Sequence, residues 1–252
     1  MEIEAGARQS PSLDEEEVRR FERLASEWWD ERGRFRALHA INPARLAFIV
    51  EEVKRWRPGQ AAAFRPLEGL EVADIGCGGG ILSEPMTRLG ARVTGIDPVA
   101  ESIGIAMAHA QGAGLSIAYL NATAEDLARE GRTFDAIVAS EVVEHVADLD
   151  SFLGTCRALV KPGGLLILST LNRTVKAYGL AILAAERLLG LVPPGTHDWK
   201  KFKKPEELEA ALGQAGFRRG SFGGIVLNPL MGTWGLSETD LAVNYMASAE
   251  AV

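Results

Sequence analysis

Between residues 72 and 86 the chain reads VADIGCGGGILSEPM. Glycines occupy positions 76, 78, 79 and 80, after an apolar run and before residues with helical spacing. Glycine admits positive φ and lets a ligand approach the backbone, while a helix start offers unpaired N–H groups. Such a loop cradles a nucleotide-like ligand laid across the carboxyl ends of strands. Asp97 stands 21 residues after Gly76, at the end of the run VTGID. A carboxylate there accepts hydrogen bonds from both hydroxyls of a ribose. The dinucleotide fingerprint asks for Gly or Ala five residues after its first glycine; here that position is Ile81, and a Walker lysine is missing.

A second cluster is SEVVEHV, residues 140–146. A helix beginning here puts Glu141, Glu144 and His145 at i, i+3 and i+4, on one face. Two carboxylates and an imidazole suit a divalent cation with open coordination positions. The same His also suits a general base that needs no metal. Of the other histidines, His109 reads as a helix surface residue, and His39 and His197 as structural hydrogen-bonding groups.

These residues need a scaffold that gathers them at one edge. Strands are expected at residues 70–75, 92–96, 116–120, 134–139 and 165–169. Helices are expected at 81–89, 101–111, 125–129 and 149–159. Strands alternating with helices imply βαβ units and a parallel sheet. After a long insert, 171–204, come a helix at 205–215 and strands at 218–227 and 241–249. The expectation is an α/β, doubly wound, mostly parallel seven-stranded sheet with an N-terminal helical extension.

That extension divides into a flexible tail, 1–12, and a helical lid, 13–60, ahead of the main domain, 61–252. Ser12 is the expected cap of a first helix, with Glu15, Glu16 and Glu17 favoured by its macrodipole. A second helix is expected after Asn42-Pro43. Within the insert, AYGLAILAAERLLGLV (177–192) carries a narrow polar face, is too short to span a bilayer, and precedes Lys200, Lys201, Lys203 and Lys204. A buried helix covering the sheet is the plainer alternative.

The 252 residues carry a net charge of −7, which gives no general attraction to nucleic acid. The two cysteines, Cys77 and Cys156, form no CxxC pair and read as reduced and cytosolic. The acidic first residues read as neither a secretory signal nor a transit peptide.

The pattern D-x-G-x-G-x-G, Asp74 to Gly80, resembles motif I of the class I S-adenosylmethionine methyltransferases. FERLASEWWDERGRFRALHAINPARL (21–46), GCGGGILSE (76–84), LVKPGGLLILSTLNR (159–173), VPPGTHDWKKFKKPEEL (192–208) and VNYM (243–246) together resemble the ubiquinone biosynthesis O-methyltransferases. The resemblance implies a Rossmann-like fold and methylation of polyprenylated phenols with S-adenosyl-L-methionine. It implies donor contacts from Arg45, Gly76, Asp97 and Ser140, with Gly78 in the same loop and a backbone contact to adenine at Ala124. Asp74 would either orient the loop or meet the donor's amino group. Glu141, Glu144 and His145 would hold a divalent cation, magnesium in kind, or His145 would act as base. The implied setting is cytoplasmic, peripheral on the inner face of a bacterial plasma membrane through 176–204, with a place in a biosynthetic complex. Rival expectations are methylation of another small phenol or amine, a non-catalytic quinone-binding role, and a nicotinamide oxidoreductase disfavoured by Ile81.

Overall fold

The computed structural model describes residues 12–60, 64–179 and 199–252. The expected tail up to residue 11, most of the amphipathic insert (180–198) and His197 lie outside the described residues.

Eight strands form one sheet: β1 (Glu71–Ile75), β2 (Arg92–Asp97), β3 (Ala118–Asn121), β4 (Phe134–Ser140), β5 (Val160–Leu171), β6 (Phe217–Asn228), β7 (Thr233–Ser237) and β8 (Asn244–Ala251). Their order is β3-β2-β1-β4-β5-β8-β6-β7. β1 to β5 pair in parallel, and β8, β6 and β7 complete the sheet antiparallel. The fold class expected from the alternation is the one observed. The strand count is not: β7 is an eighth strand in a stretch read as connection.

The central parallel strands β1, β2 and β4 are buried over most of their length, as a sheet covered on both faces requires. On one face, helices α5 (Ala124–Arg129), α6 (Leu149–Leu159) and α7 (Pro205–Gln214) supply Leu127, Phe152, Leu153, Leu159, Leu208 and Leu212. On the other, α2 (Arg36–Trp56) and α3 (Ser83–Arg88) bring Phe48, Ile49, Val53 and Met86 against Val72, Val138 and Ile167. Helix α4 (Ala100–Gly112) packs Ile103 and Ala106 under Tyr119 of β3.

Two N-terminal expectations need correcting. Helix α1 (Glu15–Leu24) is capped by Asp14, whose carboxylate accepts from the Glu16 and Glu17 N–H groups. Ser12 instead points its hydroxyl at Glu125 and receives the Ala147 N–H on its carbonyl. Helix α2 starts at Arg36, not after Pro43, which lies inside it. Proline removes one helical hydrogen bond. The turns before it are held by tertiary packing: Phe35 and Ile41 are buried, and the Asn42 amide donates to the Ile81 carbonyl. Because α2 packs into the sheet's core, the part that covers the cleft is α1 and the segment that follows it.

Candidate active site

All the parallel strands end at one edge, and the order reverses between β1 and β4, where a crevice opens. A cavity of about 670 Å³ occupies it. Arg45, Asp74, Gly76, Asp97, Ala124, Ser140, Glu141, Glu144 and His145 all line it. Residues from five elements separated by up to 100 positions are thereby gathered.

Gly76 has φ +69, and a Cβ there would meet Val142 at 2.6 Å. Gly78, at φ +52, does not line the cavity. The Trp28 ring covers it, leaving no room for a side chain, and the Gly78 backbone N–H donates to Asp97 Oδ2 at 2.9 Å. Gly78 therefore shapes the loop and holds the acid. Asp97 Oδ1 accepts the Val99 N–H at 2.9 Å. Burial pushes the Asp97 carboxyl up to about 6, against the lowering effect of those two N–H groups. Lone pairs remain on both oxygens for a further donor. Asp74 accepts the Ser83 hydroxyl at 2.5 Å. Burial raises its carboxyl to about 7, Ser83 opposes this, and the Asp97 charge adds to it.

Ala124 opens α5 behind a Thr123–Asp126 capping box, which fixes that backbone at the cavity wall. Ser140 Oγ and Ser169 Oγ are 2.7 Å apart at the ends of β4 and β5.

The expected helix over SEVVEH does not form; the segment is a turn, and α6 begins only at Leu149. Glu141 sits at φ +56, a strained position for a residue with a side chain. Its N–H is taken by the Ser169 carbonyl at 2.9 Å, so the chain follows β5 instead of coiling. Its carboxylate accepts from Ser169 Oγ and lies 2.9 Å from the buried guanidinium of Arg45. Arg45 is 4% exposed, and its Nε and Nη2 make no hydrogen bond of good geometry; the close approach to Glu141 is an ion pair by distance.

Glu144 is buried, accepts the Thr170 hydroxyl at 2.8 Å through Oε2, and leaves Oε1 bare. Burial, then the Glu141 charge, push its carboxyl above the usual range. His145 Nδ1 lies 3.1 Å from Glu17 Oε2 of α1. A carboxylate only accepts, so Nδ1 carries the proton and Nε2 is the basic nitrogen. Burial alone would lower the imidazole pKa; the Glu17 hydrogen bond and the charges of Glu144, Glu17 and Glu141 outweigh it, and the net shift is upward. Phe21 stands edge-on to the ring at 5.4 Å.

A divalent cation is tested by these contacts. The donor set is right in kind, and the bare Glu144 Oε1 is an acceptor awaiting a partner. The placement is not gathered, since Glu141 turns to Arg45 and His145 to Glu17. Among the described residues no group of three His, Cys, Asp or Glu is arranged to hold a metal ion.

The lid contributes residues that spacing did not single out. Trp28 stacks on Phe35 at 3.9 Å and donates to Ser102 Oγ at 2.9 Å. Trp29 donates to the Gly79 carbonyl and stacks on His109 at 3.4 Å, so His109 is only half exposed and anchors the lid. His39 Nε2 contacts the Trp28 carbonyl at 2.8 Å, the structural role expected of it. The sequence signal for these residues was the stretch 21–46, which carries the family resemblance and includes both tryptophans.

Comparison with known proteins adds the following. The family described as a methyltransferase domain matches residues 46–219. A ubiquinone biosynthesis O-methyltransferase from Methylobacterium sp. (strain 4-46) is 50% identical over 240 residues, covering 95% of this chain and 96% of that protein. One from Rhizobium leguminosarum bv. trifolii (strain WSM2304) is 49% identical, covering 97% and 96%. Among solved structures, magnesium protoporphyrin IX methyltransferase from Synechocystis PCC 6803 with bound SAH aligns with a TM-score of 0.64 at 24% identity, over 95% of this chain and all of that one. A possible histamine N-methyltransferase from Thermotoga maritima aligns at 0.63 and 18% identity, over 92% and 98%. The two solved structures establish the fold alone.

Proposed function

This chain belongs to the ubiquinone biosynthesis O-methyltransferases, which are S-adenosylmethionine-dependent, and from that premise we propose how its residues move a methyl group onto a polyprenylated catechol or hydroxyphenol. Transfer is an in-line displacement in which the oxygen attacks the methyl carbon and the sulfonium leaves as a thioether. Holding oxygen, carbon and sulfur collinear is largely a matter of positioning. In this reading Asp97 accepts the ribose hydroxyls, the Gly76 turn lies against the donor, and Ala124 presents its backbone to adenine. Arg45, with unmatched N–H groups, faces the methionine carboxylate. Asp74 steadies the loop through Ser83, and Ser140 lines the same cleft.

A phenol, with a pKa of about 10, is protonated near neutrality, so a proton must leave. His145 Nε2 takes it while Glu17 holds Nδ1, and the resulting imidazolium lies among Glu17, Glu144 and Glu141. The single observation that carries the reading is one cavity holding the glycine loop, Asp97 and this imidazole–carboxylate group.

A divalent cation is the finer part of the reading. Glu141, Glu144 and His145 would hold it, with Glu141 released from Arg45. Bound there, it would lower the pKa of a chelated catechol. Peripheral membrane contact through 176–204 is likewise proposed, at the cytoplasmic face of a plasma membrane. It is supported by the exposed Lys200 and Lys204. No helix of the described residues is long and apolar enough to cross a membrane.

The deciding experiment incubates the chain with methyl-labelled donor, a prenylated catechol and either magnesium or a chelator. Labelled ether is expected with magnesium. Equal turnover under chelation, unchanged by Glu144→Ala, removes the cation and leaves methyl transfer standing. No labelled product in either arm removes the whole reading.

A further inference from the structure

From residue 220 to residue 237 the sequence GSFGGIVLNPLMGTWGLS contains no Asp, Glu, Lys or Arg. It folds as the β6–β7 hairpin, in which Asn228 pairs with Thr233 and residues 229–232 form the tip. Leu230 is 93% exposed, Met231 72% and Leu227 49%. Three large apolar side chains at the end of an uncharged hairpin are a poor match to water and a good one to an apolar phase.

The direction in which the hairpin points is set by register. Ile225 pairs with Asn244, which pairs with Leu171 at the carboxyl end of β5. Asn228 lies three residues further, roughly 10 Å beyond that level. The tip therefore projects past the edge where the cavity opens. The same hairpin walls the cavity, through Val226, Leu227 and Trp234. Its backbone is suited to leaving water: Asn228 Oδ1 accepts the Leu230 and Met231 N–H groups, and the Asn228 carbonyl accepts that of Gly232. Unmet N–H groups are what an apolar phase penalises most.

The surroundings select the occupant. Lys203 donates its backbone N–H to the Leu171 carbonyl, which sets the run 200–204 on the same edge, with Lys200 and Lys204 exposed. Val175, 85% exposed, follows β5 there as well. Apolar side chains flanked by lysines on one edge match acyl chains beneath anionic headgroups.

We propose that the tip of the β6–β7 hairpin dips into an anionic bilayer through Leu230 and Met231, and so sets the Leu227–Trp234 wall of the cavity mouth against the lipid. A substrate with a prenyl tail then reaches the cavity sideways, keeping its tail out of water. The inference deepens the substrate reading above and rests on it for that entry route.

The test compares the full wild-type chain with Leu230→Glu/Met231→Glu and with the milder Leu230→Ser/Met231→Ser. Neither residue lines the cavity. Flotation uses phosphatidylcholine vesicles with and without phosphatidylglycerol. Methyl transfer is measured to a water-soluble short-chain catechol and to a long-chain one embedded in the vesicles. Wild type is expected to bind the anionic vesicles, and both variants to bind them roughly tenfold more weakly or worse. Turnover of the embedded substrate falls in step, while turnover of the soluble one is kept. Vesicle binding equal to wild type in both variants overturns the proposal. So does wild type that does not float, a lipid-free dimer that the substitutions break, or loss of soluble turnover in the serine variant. Absence of any methyl transfer by wild type in either arm would instead strike the substrate reading, with the flotation result unaffected.

Discussion

Asp74 and Asp97 pose the sharpest single-residue question, because both carboxyls are buried and raised well above the usual value of 3.8, to about 7 and about 6. A carboxyl raised in the folded state keeps its proton where the unfolded chain has lost it. Stability contributed this way is present at low pH and lost as pH climbs through the window from about 4 to about 7. The donor-free protein is therefore expected to be more stable near pH 5 than near pH 8. Asp74→Asn keeps an acceptor for Ser83 and removes the charge. It is expected to flatten that slope and to raise stability near pH 8, on the order of 2 to 4 kcal/mol. Thermal unfolding at the two pH values reads it out; equal destabilisation at both would refute the argument. Glu17 and His145 show why the site was only partly readable in advance. Gly76 and Asp97 are 21 residues apart at the carboxyl ends of adjacent strands, so their relation shows in local spacing. Glu17 and His145 stand 128 positions apart with no period linking them, and the pair exists only because α1 folds back over the edge.

At the scale of elements, the glycine loop and the aromatic lid behave as one unit. Gly78 can have no side chain because Trp28 fills the space, at a φ that non-glycine residues avoid. Gly78→Ala is expected to cost about 1–3 kcal/mol, and Trp28→Ala about 3 kcal/mol through the cavity it leaves. Their combination should cost clearly less than the sum, since the collision disappears with the ring. Strict additivity in denaturant unfolding would mean the two do not touch in solution. The βαβ alternation was legible because short β-rich runs such as EVADI, RVTGID and FDAIVAS are spaced by helix-length segments. The turn at 141–147 was not, since helical spacing of Glu141, Glu144 and His145 is silent about the Ser169 carbonyl that captures the Glu141 N–H. The edge strand β7 escaped notice for a similar reason. Its five residues include one glycine and only two apolar side chains, and pairing with β6 alone defines it.

For the molecule as a whole, the cavity is closed over by α1, pinned by Lys201 on Asp14 at 2.8 Å, by Ser12 on Glu125, and by His145 on Glu17. Donor exchange is expected to involve α1 swinging out, with these three contacts as its latch. Lys201→Ala is expected to speed both binding and release of S-adenosylhomocysteine several-fold with little change in Kd, followed by tryptophan fluorescence in stopped flow. A change confined to release would show a direct ligand contact instead of a gate. The sheet's order carries a different consequence. β8 is made after β6 and β7, yet it lies between β5 and β6. On the ribosome, then, the five parallel strands can assemble first, while the hairpin emerges with its place beside β5 still vacant. It must wait, its apolar side chains uncovered, until residues 244–251 leave the exit tunnel and slot in from the side. Nascent chains stalled just before Asn244 are the ones that trigger factor or a protease would hold longest.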